Sequence, residues 1–299
     1  MSTLPQTGPA PKPTNSVACF DRVQVWLKAP ETARRLAELR RHCGRLHVDN
    51  RPSSFDRAYR QRLELKQPND AALRWLAAHS DGLVNRLEVA LDFVFDTAAE
   101  RDDAFEFLHR HLVRRWHGKQ TVRAIRGGTT ALLTEEIEQA NTRYDGSRAA
   151  RNVIAFYRED HSRITGEGNC LHLEWRAKGA HAVRQAGVQS VKDLFDFDHR
   201  GFWQKRLVLI QVEPERLGRS IRNRGRLGRG RKDRRDGQVG QVVLNSVGSV
   251  QELIDRYGRR RIQRAFRPIE IDGLLPVRAD GVSGFAFAGE EQHRRMGRF

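Results

Sequence analysis

Asn141–Asp160 reads NTRYDGSRAARNVIAFYRED, and the fold turns on how this stretch is divided. Val153, Ile154, Ala155 and Phe156 form a short apolar run whose β-branched and aromatic members suit a pleated strand. Tyr157 closes that run and is followed at once by Arg158, Glu159 and Asp160. Upstream, Asp145, Gly146 and Ser147 mark a turn, and Tyr144 and Tyr157 are two of the chain's four tyrosines. A tyrosine at a strand end is ordinarily a packing residue with a partner for its hydroxyl. Its neighbours give this one a second reading.

Two other strands supply the neighbours. In NRLEVALDFVF, Leu87, Val89, Leu91 and Phe93 alternate with Arg86, Glu88, Ala90 and Asp92. Side chains in a strand repeat every second residue, so Glu88 and Asp92 belong to one face. In CLHLEWRAK, His172, Glu174 and Arg176 share one face, and Leu171, Leu173 and Trp175 share the other. Charges on a single strand mark a wet face. Three such strands side by side would bring Glu88, Asp92 and Glu174 together beside Tyr157, and three oxygen ligands suit Mg2+ or Mn2+.

Together these stretches resemble the trans-acting rolling-circle replication initiators of small plasmids and some filamentous phages. RLEVALDF from Arg86 to Phe93, YDGSR from Tyr144 to Arg148, FYRE from Phe156 to Glu159 and HLEWRAK from His172 to Lys178 follow that family's motifs in order and spacing. The resemblance covers roughly Phe20 to Leu207. It implies a nicking nucleophile at Tyr157 and a divalent metal, Mg2+ or Mn2+, held by Glu88, Asp92 and Glu174. Arg148 and Arg158 would assist the tyrosine. Four positions depart from the pattern: Ala155 and His172 replace arginines, Glu159 replaces a lysine, and Arg176 stands where a second glutamate is usual.

The function so implied is replication initiation. The protein would bind an origin and nick one strand by metal-dependent transesterification, leaving a 5′-phosphotyrosine. Double- and single-stranded DNA would be its partners, with host helicase and polymerase downstream, and a homodimer is compatible with this reading. The alternative is a DNA-binding protein related to such initiators that has lost nicking.

Composition agrees with a polyanionic partner, because the 299 residues carry a formal net charge of +17. Cys19, Cys43 and Cys170 are odd in number and widely spaced, which fits neither a disulfide framework nor a zinc site and suggests a reducing cytoplasmic setting. No apolar run is long enough for a membrane span. His109 and His111 flank Arg110 inside a helical pattern, so they do not read as a metal-binding strand pair.

The pattern along the chain predicts an α+β class: an antiparallel or mixed β-sheet with helices packed on one side. Two related halves are conceivable, and a basic C-terminal extension follows. Residues 1–19 read as a disordered N-terminal segment, 20–210 as the catalytic and DNA-binding domain, and 211–299 as the extension with a short helix. Strands are predicted at Phe20–Leu27 and Tyr59–Lys66, and helices from Glu31, from Asn69 and over Ala98–Trp116. Arg126-Gly-Gly-Thr-Thr reads as a hairpin turn, and 190–209 and 249–266 as helical. From Arg216 to Arg235, ten of twenty residues are basic: Arg216, Arg219, Arg222, Arg224, Arg226, Arg229, Arg231, Lys232, Arg234 and Arg235. Self-repulsion and low apolar content predict a disordered tract there, one that would act as a phosphate-binding arm.

Overall fold

The computed structural model describes residues 10–79, 81–113, 122–126, 129–131, 142–145, 150–221, 229–271 and 273–275. The chain forms two compact units. One lies within Pro13–Ala98 and Lys119–Phe202, the other within Ala99–Gly118 and Trp203–Leu275.

The first unit is built on nine strands: β1 (Asn15–Leu27), β2 (Cys43–Asp49), β3 (Gln61–Pro68), β4 (Leu83–Val94), β5 (Val122–Arg126), β6 (Thr129–Ala131), β7 (Thr142–Asp145), β8 (Asn152–His161) and β9 (Gly168–Lys178). They form one sheet in the order β2-β3-β1-β4-β9-β8-β7-β5-β6, and every pairing is antiparallel. The two halves of the chain meet at the central β4–β9 pair. There Glu88 faces Arg176, Ala90 faces Glu174 and Asp92 faces His172. Arg126 pairs with Thr129 across the predicted hairpin, whose two glycines lie outside the described residues.

Alternation gives the sheet two unlike faces. Phe20, Val23, Val25, Leu63, Leu65, Leu87, Val89, Leu91, Leu171, Leu173 and Phe156 are buried. Burying such side chains contributes roughly 1.5–3 kcal/mol each. The segment after β9 lies on this apolar face. Phe197 packs on Phe20 at 5.0 Å, Phe202 on Trp175 at 6.1 Å, and Val191 and Val25 flank Gly82. That segment contains helix α4 (Ala180–Gln185), a 3₁₀ turn at Lys192–Leu194 and the first turn of α5 (His199–Arg206). The predicted class, an antiparallel sheet with helices on one side, is what the chain forms.

Several local expectations shift. Helix α1 (Ala33–Arg40) begins behind Thr32, whose hydroxyl accepts from the Arg35 amide at 3.3 Å. It ends early because Cys43–Asp49 is strand β2, with Leu46 paired to Leu65. Helix α2 (Asp70–Ala77) is capped by Asn69 as predicted, through a 3.1 Å bond from the Ala72 amide.

The second unit corrects the expectation for the basic tract. Helix α3 (Ala98–His111) falls almost wholly within it, and Trp116 of the predicted helix lies outside the described residues. Arg216 and Arg219 sit on helix α6 (Pro214–Ile221), and Arg229–Asn245 form helix α7. Arg222, Arg224 and Arg226 lie outside the described residues. The described parts of the tract are helical because apolar residues lie within and beyond them. Leu217, Leu244, Val247, Val250, Leu253 and Ile262 pack together with Ile210 and Val212 of strand β10 (Ile210–Val212), which pairs with β11 (Phe266–Pro268). The helix predicted over 249–266 is two, α8 (Val250–Tyr257) and α9 (Arg259–Ile262). They are broken at Gly258, whose φ of 80° a helix cannot accommodate.

Helices α6 and α7 approach backbone to backbone. A Cβ on Gly218 would stand 1.9 Å from the Asp236 carbonyl oxygen, and one on Gly240 would stand 1.8 Å from that of Pro214. At Gly237, by contrast, the nearest atom is the Glu215 Cγ at 3.5 Å. Helix propensity alone favours Ala over Gly by about 1 kcal/mol at each place. Gly237→Ala should therefore raise stability in urea melts by about that amount. Gly240→Ala should lower it, the opposite sign on the same helix.

His199 provides a pH test. It is half-buried, with its ring packed on Phe20 (4.7 Å) and Phe197 (4.8 Å). Burial pulls its pKa down to about 4, against a smaller upward pull from Asp198. The unfolded chain then binds a proton that the native state refuses between about pH 6.5 and 4, so stability falls as pH drops through that window. At pH 5 the loss should be about 2 kcal/mol relative to pH 7. In His199→Leu this component should vanish, which urea titrations at the two pH values will read.

Candidate active site

The polar face of the central strands carries the site. β4, β9, β8 and β1 bring Glu88, Asp92, Glu174, His172, Tyr157 and Arg22 to the same side through the registers Glu88–Arg176, Ala155–Glu174, Tyr157–His172 and Arg22–Glu88. Asp92 is 0% exposed, and Glu88, His172 and Glu174 are also buried. Unpaired charge there would be costly, and each group is paired.

Asp92 is enclosed by two donors. His172 Nδ1 lies 2.6 Å from Asp92 Oδ1, and the Ser162 hydroxyl donates to Asp92 Oδ2 at 2.5 Å. Ser162 begins the turn between β8 and β9. Its oxygen also accepts from the amides of Ile164 (3.1 Å) and Thr165 (3.2 Å), and Gly166 completes the turn at φ 78°. The other ring nitrogen of His172 stands 3.5 Å from Glu174 Oε1, an ion-pair distance longer than a good hydrogen bond. Burial disfavours the imidazolium, but the two carboxylates outweigh it and raise the His172 pKa to about 10. Burial likewise opposes ionisation of Glu174, yet His172 and Arg176 hold its carboxyl down at about 2.

Tyr157 stands at the edge of this cluster. Its hydroxyl donates to Glu174 Oε1 at 3.2 Å, and its ring lies 4.8 Å from that of His172. Burial and then the Glu174 charge push the phenol pKa far above its usual value, while Arg163 pulls it back. Arg163 also binds Glu159 at 2.6 Å.

The carboxylates that could share one cation are Asp21, Glu88 and Glu174, with ligand oxygens all within 4.8 Å of one another. Asp92, expected in this set, is occupied by His172 and Ser162 instead. Asp21 takes its place because the β1–β4 register shifts between Phe20 and Arg22, a bulge that turns an extra residue towards the polar face. Strict alternation would have put Asp21 with Val23 and Val25. An all-oxygen set of three carboxylates fits a hard divalent cation. Arginines already share it: Glu88 is bound by Arg86 (2.6 Å) and Arg22 (3.2 Å), and Glu174 by Arg176 (2.5 Å). A cation would have to compete with them.

The remaining predicted residues are distributed as follows. Arg158 pairs with Leu171 in the register, which places it on the face opposite Tyr157. Arg148 lies outside the described residues, and Tyr144 is opposite Ala155 on β7. Arg216 is bound to Glu213 at 2.5 Å, Arg219 stands 4.0 Å from Glu215, and Arg235 is exposed on α7. Arg229, Arg231, Lys232 and Arg234 are on the same helix. His111 Nδ1 bonds the Ile210 carbonyl at 2.9 Å. The Cys19 thiol is buried and its pKa is raised by burial and by Asp92, so it is no rival nucleophile. Sequence reasoning missed Asp21, Ser162 and Arg163, and the arginines Arg22 and Arg86. Of these only Arg86 carried a signal, as the residue flanking Glu88 on the same strand face.

No family model matches the chain, and no curated protein matches it. Among solved structures it is similar to a rolling circle replication initiator protein from Geobacillus stearothermophilus. That likeness has 13% sequence identity and a TM-score of 0.33, and covers 78% of this chain and 98% of the other. Among the described residues no helix is long and apolar enough to cross a membrane.

Removing the Asp92 carboxylate charge would leave a buried imidazolium with one distant partner. Asp92→Asn should cost about 3–5 kcal/mol in urea melts, the range for breaking a buried ion pair. Ser162→Ala should cost less, about 1.5–3 kcal/mol, the range for a hydrogen bond to a charged group. Equal losses would mean that Asp92 is held mainly by the turn and not by His172.

Proposed function

We propose that the chain is a replication initiator of the rolling-circle type that binds DNA and nicks one strand with Tyr157. The observation that carries this reading is the Tyr157 hydroxyl donating to Glu174 at the edge of a buried carboxylate cluster. The order and spacing of the four sequence motifs support it, and so does the net charge of +17.

In the reaction, Tyr157 Oη attacks a backbone phosphorus and the bond from phosphorus to the 3′-oxygen breaks. A 5′-phosphotyrosine forms and a free 3′-hydroxyl is left for a polymerase to extend. Glu174 Oε1 accepts the phenol hydrogen bond and relays the proton to solvent as the new bond forms, and the departing 3′-oxygen takes a proton from solvent, so no net proton is gained or lost. With its pKa raised, the phenol does not ionise beforehand, so its proton leaves as the new bond forms. Arg163 favours the developing phenolate charge. Held by Asp21, Glu88 and Glu174, Mg2+ or Mn2+ would supply Lewis-acid stabilisation of charge on the phosphate. The His172–Asp92 pair fixes the orientation of the imidazole beneath the tyrosine ring.

A second reading, a DNA-binding relative that has lost nicking, is favoured by the burial of Tyr157 and by the arginines on Glu88 and Glu174. One assay separates the two. Labelled single-stranded oligonucleotides of varied sequence are incubated with the protein and Mn2+, and covalent adducts are resolved under denaturing conditions. The wild type and Tyr144→Phe should form adduct, and Tyr157→Phe should not. Asp21→Asn should raise the Mn2+ concentration needed on the order of tenfold or more. DNA binding without any wild-type adduct would establish the second reading.

A further inference from the structure

The loop between β2 and β3 presents an aromatic ring to solvent. Phe55 is 52% exposed and is one of three large hydrophobic residues exposed among those described. Of the other two, Phe195 is covered by the Arg74 guanidinium at 5.0 Å. Phe55 instead rests on rings. Trp26 meets it edge-on at 5.7 Å, Tyr59 lies at 5.8 Å, and the Arg62 guanidinium lies over Trp26 at 5.7 Å.

The loop is held rigidly in this pose. The buried Ser53 hydroxyl accepts from the amides of Phe55 (3.2 Å) and Asp56 (3.4 Å), and the Ser53 amide donates to the Tyr59 carbonyl at 3.0 Å. Asp56 accepts from the Ala58 amide at 2.9 Å, Gln61 donates to Asn50 at 2.8 Å, and the Arg60 amide donates to the Leu27 carbonyl at 2.9 Å. The exposed half of the ring gains little for folding, yet on a pre-ordered loop it lowers the entropic cost of binding a flat partner.

Charge specifies the partner. Between residues 49 and 62 four arginines face two aspartates, and Asp49 is already bound by Arg51 (2.9 Å) and Arg62 (3.1 Å). Arg57 and Arg60 are exposed on the same loop, and Lys28 is exposed next to Leu27, whose carbonyl the Arg60 amide binds. The surface is also continuous with the candidate site. Along β1 and β3 the pairs Trp26–Arg62, Gln24–Glu64 and Arg22–Lys66 share one face, and Arg22 binds Glu88. Four residues of strand separate Trp26 from Arg22, about 13 Å at the usual rise.

We propose that Phe55, seated on Trp26 and Tyr59 in a loop that exposes Arg57 and Arg60, is a stacking platform for an unpaired base of single-stranded DNA. The ring takes the face of the base and the cations take the flanking phosphates, the combination by which single strands are bound without sequence preference. The inference rests on the DNA-binding part of the proposed function and is independent of nicking.

The test measures affinity by fluorescence anisotropy for a mixed-sequence single-stranded oligonucleotide, a duplex and an RNA of the same sequence. Phe55→Ala should weaken single-strand binding on the order of tenfold. Phe55→Trp should restore it, duplex affinity should be unchanged, and Phe55→Ala should still unfold in one urea transition at a slightly lower midpoint. Unaltered single-strand binding in Phe55→Ala, an equal loss on duplex, or full affinity in Phe55→Leu would each overturn the proposal. Tighter binding of RNA would overturn the choice of DNA. Adduct formation is read separately: a wild type that binds single strands without adduct refutes nicking alone. A wild type that forms adduct, with Phe55→Ala binding normally, refutes the platform alone.

Discussion

Asp92 and His172 stand 2.6 Å apart on the two central strands where water does not reach, and much of the polar face is arranged around that pair. A buried carboxylate needs its remaining lone pairs satisfied, and the Ser162 turn at the end of β8 supplies the second donor. The imidazolium in turn requires a second anion, and Glu174 stands there, which also makes it the acceptor for Tyr157. Glu174 and Glu88 together attract Arg176, Arg86 and Arg22. The cluster thus grows outward from one pair by successive neutralisation.

The pattern of alternation made much of the sheet legible. β4 and β9 each show apolar and ionisable residues in strict turn, and a period of two is hard to obtain from anything but a strand with two unlike faces. That was enough to place Glu88, Asp92 and Glu174 on one side. It could not reveal which carboxylates would meet, because that depends on one irregularity in a third strand. The bulge at Asp21 exchanges one aspartate for another by adding a residue to one side of a ladder, and nothing in FDRVQVWL announces it. Arg158 was misjudged for a simpler reason. Proximity in sequence to Tyr157 says nothing of proximity in space, since adjacent residues of a strand look in opposite directions.

The basic tract shows the reverse failure. Its composition is that of a disordered chain, and the reading of local charge followed the rule for such runs. What decided the outcome lay beyond the run. Leu244, Val247, Val250 and Leu253 offer an apolar surface that α6 and α7 can share, and Gly218 and Gly240 allow the two backbones to touch. Repulsion among arginines is screened over roughly 8 Å at physiological salt. Close packing and apolar burial are not.

The central pairing also has a bearing on how the molecule reaches its native state. Asp92 and His172 are 80 residues apart in the chain, and Ser162 and Asp92 are 70 apart. Closing loops of that length is slow, and chains rich in such contacts fold late and cooperatively. Until β9 arrives, β4 is a strand whose carboxylates have lost half of their partners and whose apolar side has lost half of its cover. A nascent chain that has emerged only as far as β4 therefore lacks Tyr157, His172 and Glu174 and exposes a long hydrophobic edge. The site and the risk of misassembly are two products of the same long-range closure.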